Sequence, residues 1–159
     1  MLKVVSNTTP LISLLKLSKI TLLREIYTKI TIPYAVYQEI EAGINKDYYH
    51  DFANLSWIEI QKIKDPNALK YFLELDAGEA EAIVLATELK ADILLMDEKL
   101  GRLFARNTGI KTTGTLGVLV KAKELGIIKK LKPLLIELTA KNVWISDKLQ
   151  HEILTRVGE

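Results

Sequence analysis

Apolar positions along the chain follow two alternating rhythms, short β-branched runs and longer stretches spaced for one helix face. Lys3-Val4-Val5-Ser6 reads as a first strand, and a chain that starts straight into such a run often places it centrally. Thr9-Pro10 then reads as a helix start, with Thr9 as N-cap and Pro10 at the first helical position. Leu11, Leu14, Leu15, Leu17 and Ile20 follow at near-helical spacing, and Thr21 to Tyr27 forms a second short helix. Lys29 to Ile32 alternates like a strand before Pro33, after which Tyr34 to Ala42 reads as a helix stopped by Gly43.

The middle of the chain repeats the theme. Asn45 to Asn54 is polar and reads as helical, whereas Trp57-Ile58-Glu59-Ile60 alternates as a one-sided edge strand. Pro66 opens a helical pattern to about Leu75, and Asp76-Ala77-Gly78-Glu79 resembles a capping arrangement for a helix from Gly78 to Leu89. Ile93 to Met96 is fully apolar, as a parallel strand buried on both faces must be, and Asp97 ends it. A helix over Glu98 to Arg106 stops at Gly109, Ile110 to Thr113 is the next strand, and Gly114 to Leu125 is a helix closed by Gly126. Helices over Leu131 to Ala140 and Ser146 to Val157 complete the chain. Strands separated by helices predict a single domain over residues 1–159, a three-layer α/β/α sandwich around a central parallel sheet of four to five strands. Right-handed crossovers bring the carboxyl ends of the central strands to one edge, where open α/β sheets bind ligands.

Composition narrows the chemistry. Of 159 residues 48% are hydrophobic, enough for one well-filled core, and the absence of cysteine removes disulfides, thiolate nucleophiles and cysteine-held metals. With only His50 and His151, any metal here would be held by oxygen. The net charge of +2 is too small to imply nucleic-acid binding by itself, although Lys111, Lys121, Lys123, Lys129, Lys130 and Lys132 face a single acid, Glu124, in one stretch. No run approaches the length of a membrane span, and the amino terminus lacks the order of a signal peptide, so the expectation is a soluble, cytoplasmic protein with no membrane partner.

The polar residues expected at the ligand-binding edge are few. Ser6 and Asn7 leave the first strand and Asp97 leaves the apolar strand; Glu79 starts the helix leading into that strand, and Glu39 lies about one and a half turns beyond Pro33. Each has a plain structural alternative. Glu79 can be the third-position partner of an Asp76 cap, Asp97 the N-cap of the next helix, Asn7 the centre of an Asx-turn, and Glu39 a solvated surface acid.

Val4 to Ile12, Ile32-Pro33 with Glu39 following, Leu75 to Ile83, Leu94 to Glu98 and Thr113 to Leu119 together resemble a branch of the PIN-domain superfamily close to the VapC-type toxins of prokaryotic toxin–antitoxin pairs. The resemblance covers nearly the whole chain. It implies an endoribonuclease in which acids at the carboxyl edge of the sheet bind Mg²⁺ or Mn²⁺. It assigns catalysis and metal binding to Asn7, Glu39, Glu79 and Asp97, with Asn7 where the family usually has its first aspartate. A further acid or hydroxyl beyond the next strand falls near Thr113 or Thr115, neither of them a carboxylate. Ser6, Thr8, Thr113 and Thr115 would contact substrate, and Lys99, Arg102 and Arg106 share a helix face able to grip an RNA backbone. Expected partners are RNA, a cognate antitoxin and a second copy of the chain.

The chemistry suits these residue types, because Mg²⁺ takes oxygen ligands in near-octahedral geometry from one or two carboxylates, waters and substrate phosphates. Asn7 is the departure: an amide oxygen can ligate a cation but brings no charge. Three readings stay open, a tolerated natural variant, a natural loss of activity, and an engineered inactivation. The alternative function is therefore a catalytically impaired PIN fold that binds RNA or antitoxin. A phosphorelay receiver would need paired acids after its first strand, where Ser6-Asn7 stand, and a lysine after its last, where Thr112-Thr113 stand. A dinucleotide site would need G-x-G-x-x-G after a strand, and none is present. Trp57 and Trp144 read as packing or interface residues rather than base-stacking platforms.

Overall fold

A computed structural model describes residues 1–159. Five strands, β1 (Val4–Ser6), β2 (Ile30–Pro33), β3 (Ile58–Gln61), β4 (Ile93–Leu95) and β5 (Thr112–Thr113), form one sheet in the order β3-β2-β1-β4-β5. Every pairing is parallel. Helices α1 (Thr8–Lys16), α2 (Thr21–Tyr27), α3 (Tyr34–Ala42), α4 (Ala77–Glu88), α5 (Lys99–Asn107), α6 (Thr115–Glu124), α7 (Lys132–Ala140) and α8 (Asp147–Arg156) cover it. This is the expected α/β/α sandwich, with β1 central and β3 at an edge.

The period-2 alternation of strands assigns the two faces. Val4 and Leu95 belong to a cluster of 27 buried residues built with α1, α2, α3, α6, α7 and α8. Val5, Leu94 and Met96 point the other way, into a cluster of 8 that includes Ala82, Ile83, Leu85 and Ala86 of α4 and Ala105 of α5. Apolar residues on both faces of β4 thus explain its unbroken run.

Three local expectations are corrected. Asn45 to Asn54 is not a helix: only Phe52–Asn54 makes a 3₁₀ turn, nucleated by Asp51, whose carboxylate accepts from the Ala53 N–H at 3.1 Å. Asn and Asp compete with helical hydrogen bonding in this way, and Phe52, fully buried, anchors the turn. Pro66–Phe72 is 3₁₀ rather than α-helical, and none of its residues is buried. Without an apolar face to dock, propagation of a helix has no tertiary support. The N-cap of α1 is Asn7 rather than Thr9, placing Pro10 third in the helix. Proline is tolerated there because the first four N–H groups lack intrahelical partners anyway.

The strand order reverses between β1 and β4: the chain runs outward through β2 and β3, then returns to the other side of β1. The crevice of such a sheet opens at that reversal, beyond the carboxyl ends of its strands. Asn7 follows β1 there and Asp97-Glu98 follow β4; the Asn7 N–H donates to the Leu95 carbonyl at 2.9 Å, holding the two strand ends together. The amino ends of α1, α4, α5 and α6 lie at the same edge, and their dipoles favour negative charge.

Candidate active site at the carboxyl edge of the sheet

Glu39 is reached by three elements. It projects from α3, accepts from Thr8 Oγ1 of α1 with Oε2, and accepts from the Gly78 N–H of α4 at 3.1 Å with Oε1. The approach is close: a Cβ on Gly78 would lie 2.6 and 2.7 Å from the two Glu39 carboxylate oxygens. A side chain at this position would have to displace the Glu39 carboxylate. Half-buried and bonded at both oxygens, Glu39 is not the solvated surface acid of its plain alternative. Burial raises its pKa; the bonds from Thr8 and Gly78 oppose that rise, and the charges of Asp76 and Glu98 add to it.

Glu79, on the first turn of α4, is 8% exposed. Asp76 is the N-cap expected, accepting from the Glu79 N–H at 2.8 Å. The Glu79 carboxyl is pushed up to about 7, first by burial and then by the charges of Asp76 and Glu98.

Asp97 is held by the loop after β5. Its Oδ1 accepts from the Thr115 N–H and its Oδ2 from Thr115 Oγ1, both at 2.6 Å. It therefore serves the amino end of α6, not the helix that follows it directly, whose N-cap is Glu98. Gly114 leaves the room, since a Cβ there would lie 2.6 Å from Asp97 Oδ1. Burial raises the Asp97 pKa against the lowering bonds from Thr115, with smaller opposing effects of Glu98 and Arg102.

Asn7 is 2% exposed, and its Nδ2 donates to Glu98 Oε2 at 3.1 Å while its Oδ1 has no partner. A buried acceptor left unpaired costs about 1–3 kcal/mol. Neither Asn7 nor Glu98 caps the helix it precedes, and with Asn7 Oδ1 unpaired an Asx-turn does not account for Asn7. Glu98 also accepts from Thr9 Oγ1.

The remaining sequence-predicted residues divide by accessibility. Ser6 is fully buried with Oγ donating to the Asn7 carbonyl at 2.9 Å, and the Thr8 and Thr115 hydroxyls are spent on Glu39 and Asp97. Thr113 lines a groove of about 580 Å³ with Asp97, Arg102, Thr115 and Trp144. Lys99, Arg102 and Arg106 all lie on α5; Lys99 and Arg106 are exposed and Arg102 is half-buried beside Asp97. Trp57 is packed in the larger core cluster, but Trp144 is 85% exposed at the groove and does not pack. His50 and His151 are exposed and take no part.

A family model described as a PIN domain matches residues 3–159. The chain belongs to the PIN-domain family. No curated protein matches it. PIN domains are a nuclease fold that generally works with divalent metals, so the edge acids of this PIN domain can be tested against a hard cation. The donor set is all oxygen, and none of the chain's ion pairs involves Glu39, Asp76, Glu79, Asp97 or Glu98. Uncompensated carboxylates and an unpartnered amide oxygen at one sheet edge fit a Mg²⁺-like ion. The side chains as placed do not bring three carboxylates within joint ligating range of one ion; Glu39 and Asp97 are each drawn to backbone N–H groups instead.

Sequence reasoning missed Asp76 and Glu98 as members of this acidic edge. Asp76 was legible as a cap. The link from Glu98 to Asn7 crosses 91 positions, and no local pattern signals it.

Proposed function

We propose that this PIN domain is an endoribonuclease of the VapC-like toxin type, hydrolysing RNA phosphodiester bonds at a Mg²⁺ or Mn²⁺ site and restrained by a cognate antitoxin. One observation carries the reading: Glu39, Glu79 and Asp97 stand at the carboxyl edge and make no ion pair, with Arg102 beside Asp97 as a nearby cation, next to the buried, unpaired Oδ1 of Asn7. A bound divalent ion supplies charge neutralisation at phosphate and a water of lowered pKa. Glu39, Glu79, Asp97 and Asn7 Oδ1 are the residues that would hold it.

The chain's own groups do the rest. In the metal-free chain burial and the charges of Asp76 and Glu98 push the Glu79 carboxyl up to about 7, so a cation binding there would displace its proton near neutral pH. Thr115 holds Asp97, and Thr8 and Gly78 hold Glu39, at the edge in the metal-free chain, and binding one ion there would require the carboxylates to swing towards one another. Lys99, Arg102 and Arg106 offer phosphate contacts along α5, and the groove by Thr113 gives the RNA a path away from Asp97. A cytoplasmic location, pairing with a second copy and an antitoxin partner follow from the VapC-like reading.

The test is cleavage of single-stranded RNA by the purified chain with Mg²⁺ or Mn²⁺, repeated with Asp97→Ala. Metal-dependent cleavage that disappears in the variant supports the reading, and robust cleavage in excess chelator refutes it. A second reading, a PIN fold retained for binding alone, is favoured by the amide at Asn7 and the separation of the carboxylates. Wild-type RNA binding without cleavage, with cleavage appearing in Asn7→Asp, would select it.

A further inference from the structure

Asn7 and Glu98 end neighbouring strands and begin neighbouring helices, and each occupies an N-cap position. Asparagine is among the best capping residues because its side-chain oxygen can accept from the first-turn N–H groups. Here the side chain turns away from α1 and donates to Glu98 across the β1–β4 crevice. Glu98 likewise leaves α5 uncapped and takes two donors from the α1 side, Asn7 Nδ2 and Thr9 Oγ1.

That arrangement depends on the amide. An aspartate at position 7 has no hydrogen to give and would set a second negative charge against Glu98 at hydrogen-bond range, which destabilises both ionised forms. Asn7 therefore removes one carboxylate from the end of β1 and, by the same contact, holds another at the end of β4. Glu98 is half-buried, has no cationic partner, and its charge bears on Glu39, Glu79 and Asp97 alike. The second observation is the Asn7 Oδ1, buried and unpaired beside this cluster, an oxygen donor with its other amide atom already committed.

We infer that Glu98 is a divalent-cation-binding carboxylate of this site, held there by Asn7 and supplying the negative charge that Asn7 omits. The inference rests on the metal-dependent reading above. It assigns Glu98 a role beyond tethering α5 to α1, and it makes positions 7 and 98 exchangeable in charge.

Mn²⁺ alone is the probe, titrated calorimetrically into the full chain as wild type, Glu98→Gln, Asn7→Asp and the double variant Asn7→Asp/Glu98→Gln, with each melting temperature recorded in chelator. Glu98→Gln should weaken Mn²⁺ by roughly 10- to 100-fold, the loss typical when a group supporting a metal site is removed. The double variant should recover most of that loss, because the charge returns at position 7 and the neutral amide now stands at 98. As a measurement needing no variant to fold, substoichiometric Mn²⁺ should broaden the Asn7 side-chain amide resonances of the wild type early in a titration. Wild-type Mn²⁺ affinity in folded Glu98→Gln overturns the inference and leaves the metal-dependent reading standing, whereas an Asn7 amide untouched by saturating Mn²⁺ overturns the inference and also removes Asn7 from the metal-dependent reading. Failure of the double variant to recover overturns the exchange of charge. A wild-type chain that binds no Mn²⁺ overturns both.

Discussion

Two carboxylate-centred regions of this molecule are built on opposite electrostatics. At the junction of α6 and α7, Glu159 accepts from the Leu131 N–H at 2.6 Å, the Lys132 N–H at 3.1 Å and Lys123 Nζ at 3.0 Å. Its pKa is lowered to about 2, mainly by the Leu131 bond. At the carboxyl edge of the sheet, burial and neighbouring acids raise Glu39, Glu79 and Asp97 instead. Charge at Glu159 is used up inside the fold. The edge acids make no ion pair within the chain, and that contrast is what the proposed function rests on.

The largest expected effect sharpens the edge side of the contrast. Asp97→Ala should lower metal-dependent RNA cleavage by about 10²-fold or more, as misplacing reacting groups does, in an assay matched for folded protein by circular dichroism. Glu159→Gln should leave cleavage and Mn²⁺ affinity unchanged and lower the melting temperature, because it removes the anion that holds α7 and Lys123 together. If instead the Glu159 variant lost metal binding and the Asp97 variant did not, the two regions would have been assigned the wrong way round.

Next in size is Gly78→Ala. Its methyl group would displace the Glu39 carboxylate, at the cost of the Gly78–Glu39 bond. We expect cleavage to fall roughly tenfold or more, in the range seen when a group orienting a metal ligand is lost, with Gly109→Ala, at an open positive-φ position, as the control that perturbs only the backbone.

The pH dependence has opposite signs in the two regions. Glu79 is raised above the roughly 4.3 of an unfolded glutamate, so the folded chain holds an extra proton between that value and about 7. Its contribution to metal-free stability is present on the acid side and is lost as pH rises through about 7. Glu159 is lowered, so its contribution is present above roughly 4.3 and is lost as pH falls towards about 2. Melting curves in chelator should therefore show the wild type gaining on Glu79→Gln as pH drops from 7 to 4.5, and losing its advantage over Glu159→Gln below about 4.

The smallest effect concerns the rim. Lys99→Ala and Arg106→Ala should each weaken RNA binding about uniformly across sequences and reduce the salt slope by about one, measured by filter binding at several salt concentrations in chelator. Loss of sequence preference would point to base contacts instead.

How far the sequence led is clear from particular elements. The apolar run at Ile93–Leu95, the β-branched run at Val4–Val5 and the Asp76 cap each carry a local signal strong enough to place β4, β1 and α4. Those elements position Asn7, Glu79 and Asp97 at one edge. The stretch from Asn45 to Asn54 misled because polarity does not distinguish a solvated helix from a side-chain-capped turn, and Pro66 to Leu75 because a good start signal does not supply a docking face. Pairings of Glu39 with Thr8 and Gly78, of Asp97 with Thr115, and of Asn7 with Glu98 are non-local; they exist only once the sheet has brought its strand ends together. Residue types at the edge were legible, but the choice of partners was not.

Anomalous diffraction from crystals soaked in Mn²⁺ tests the central claim most directly. The account predicts a peak at the carboxyl edge of the sheet, bonded by oxygens drawn from Glu39, Glu79, Asp97 and the Asn7–Glu98 pair. Crystals of the intact chain that show the edge carboxylates in their metal-free positions at saturating Mn²⁺, with no peak among them, would contradict it.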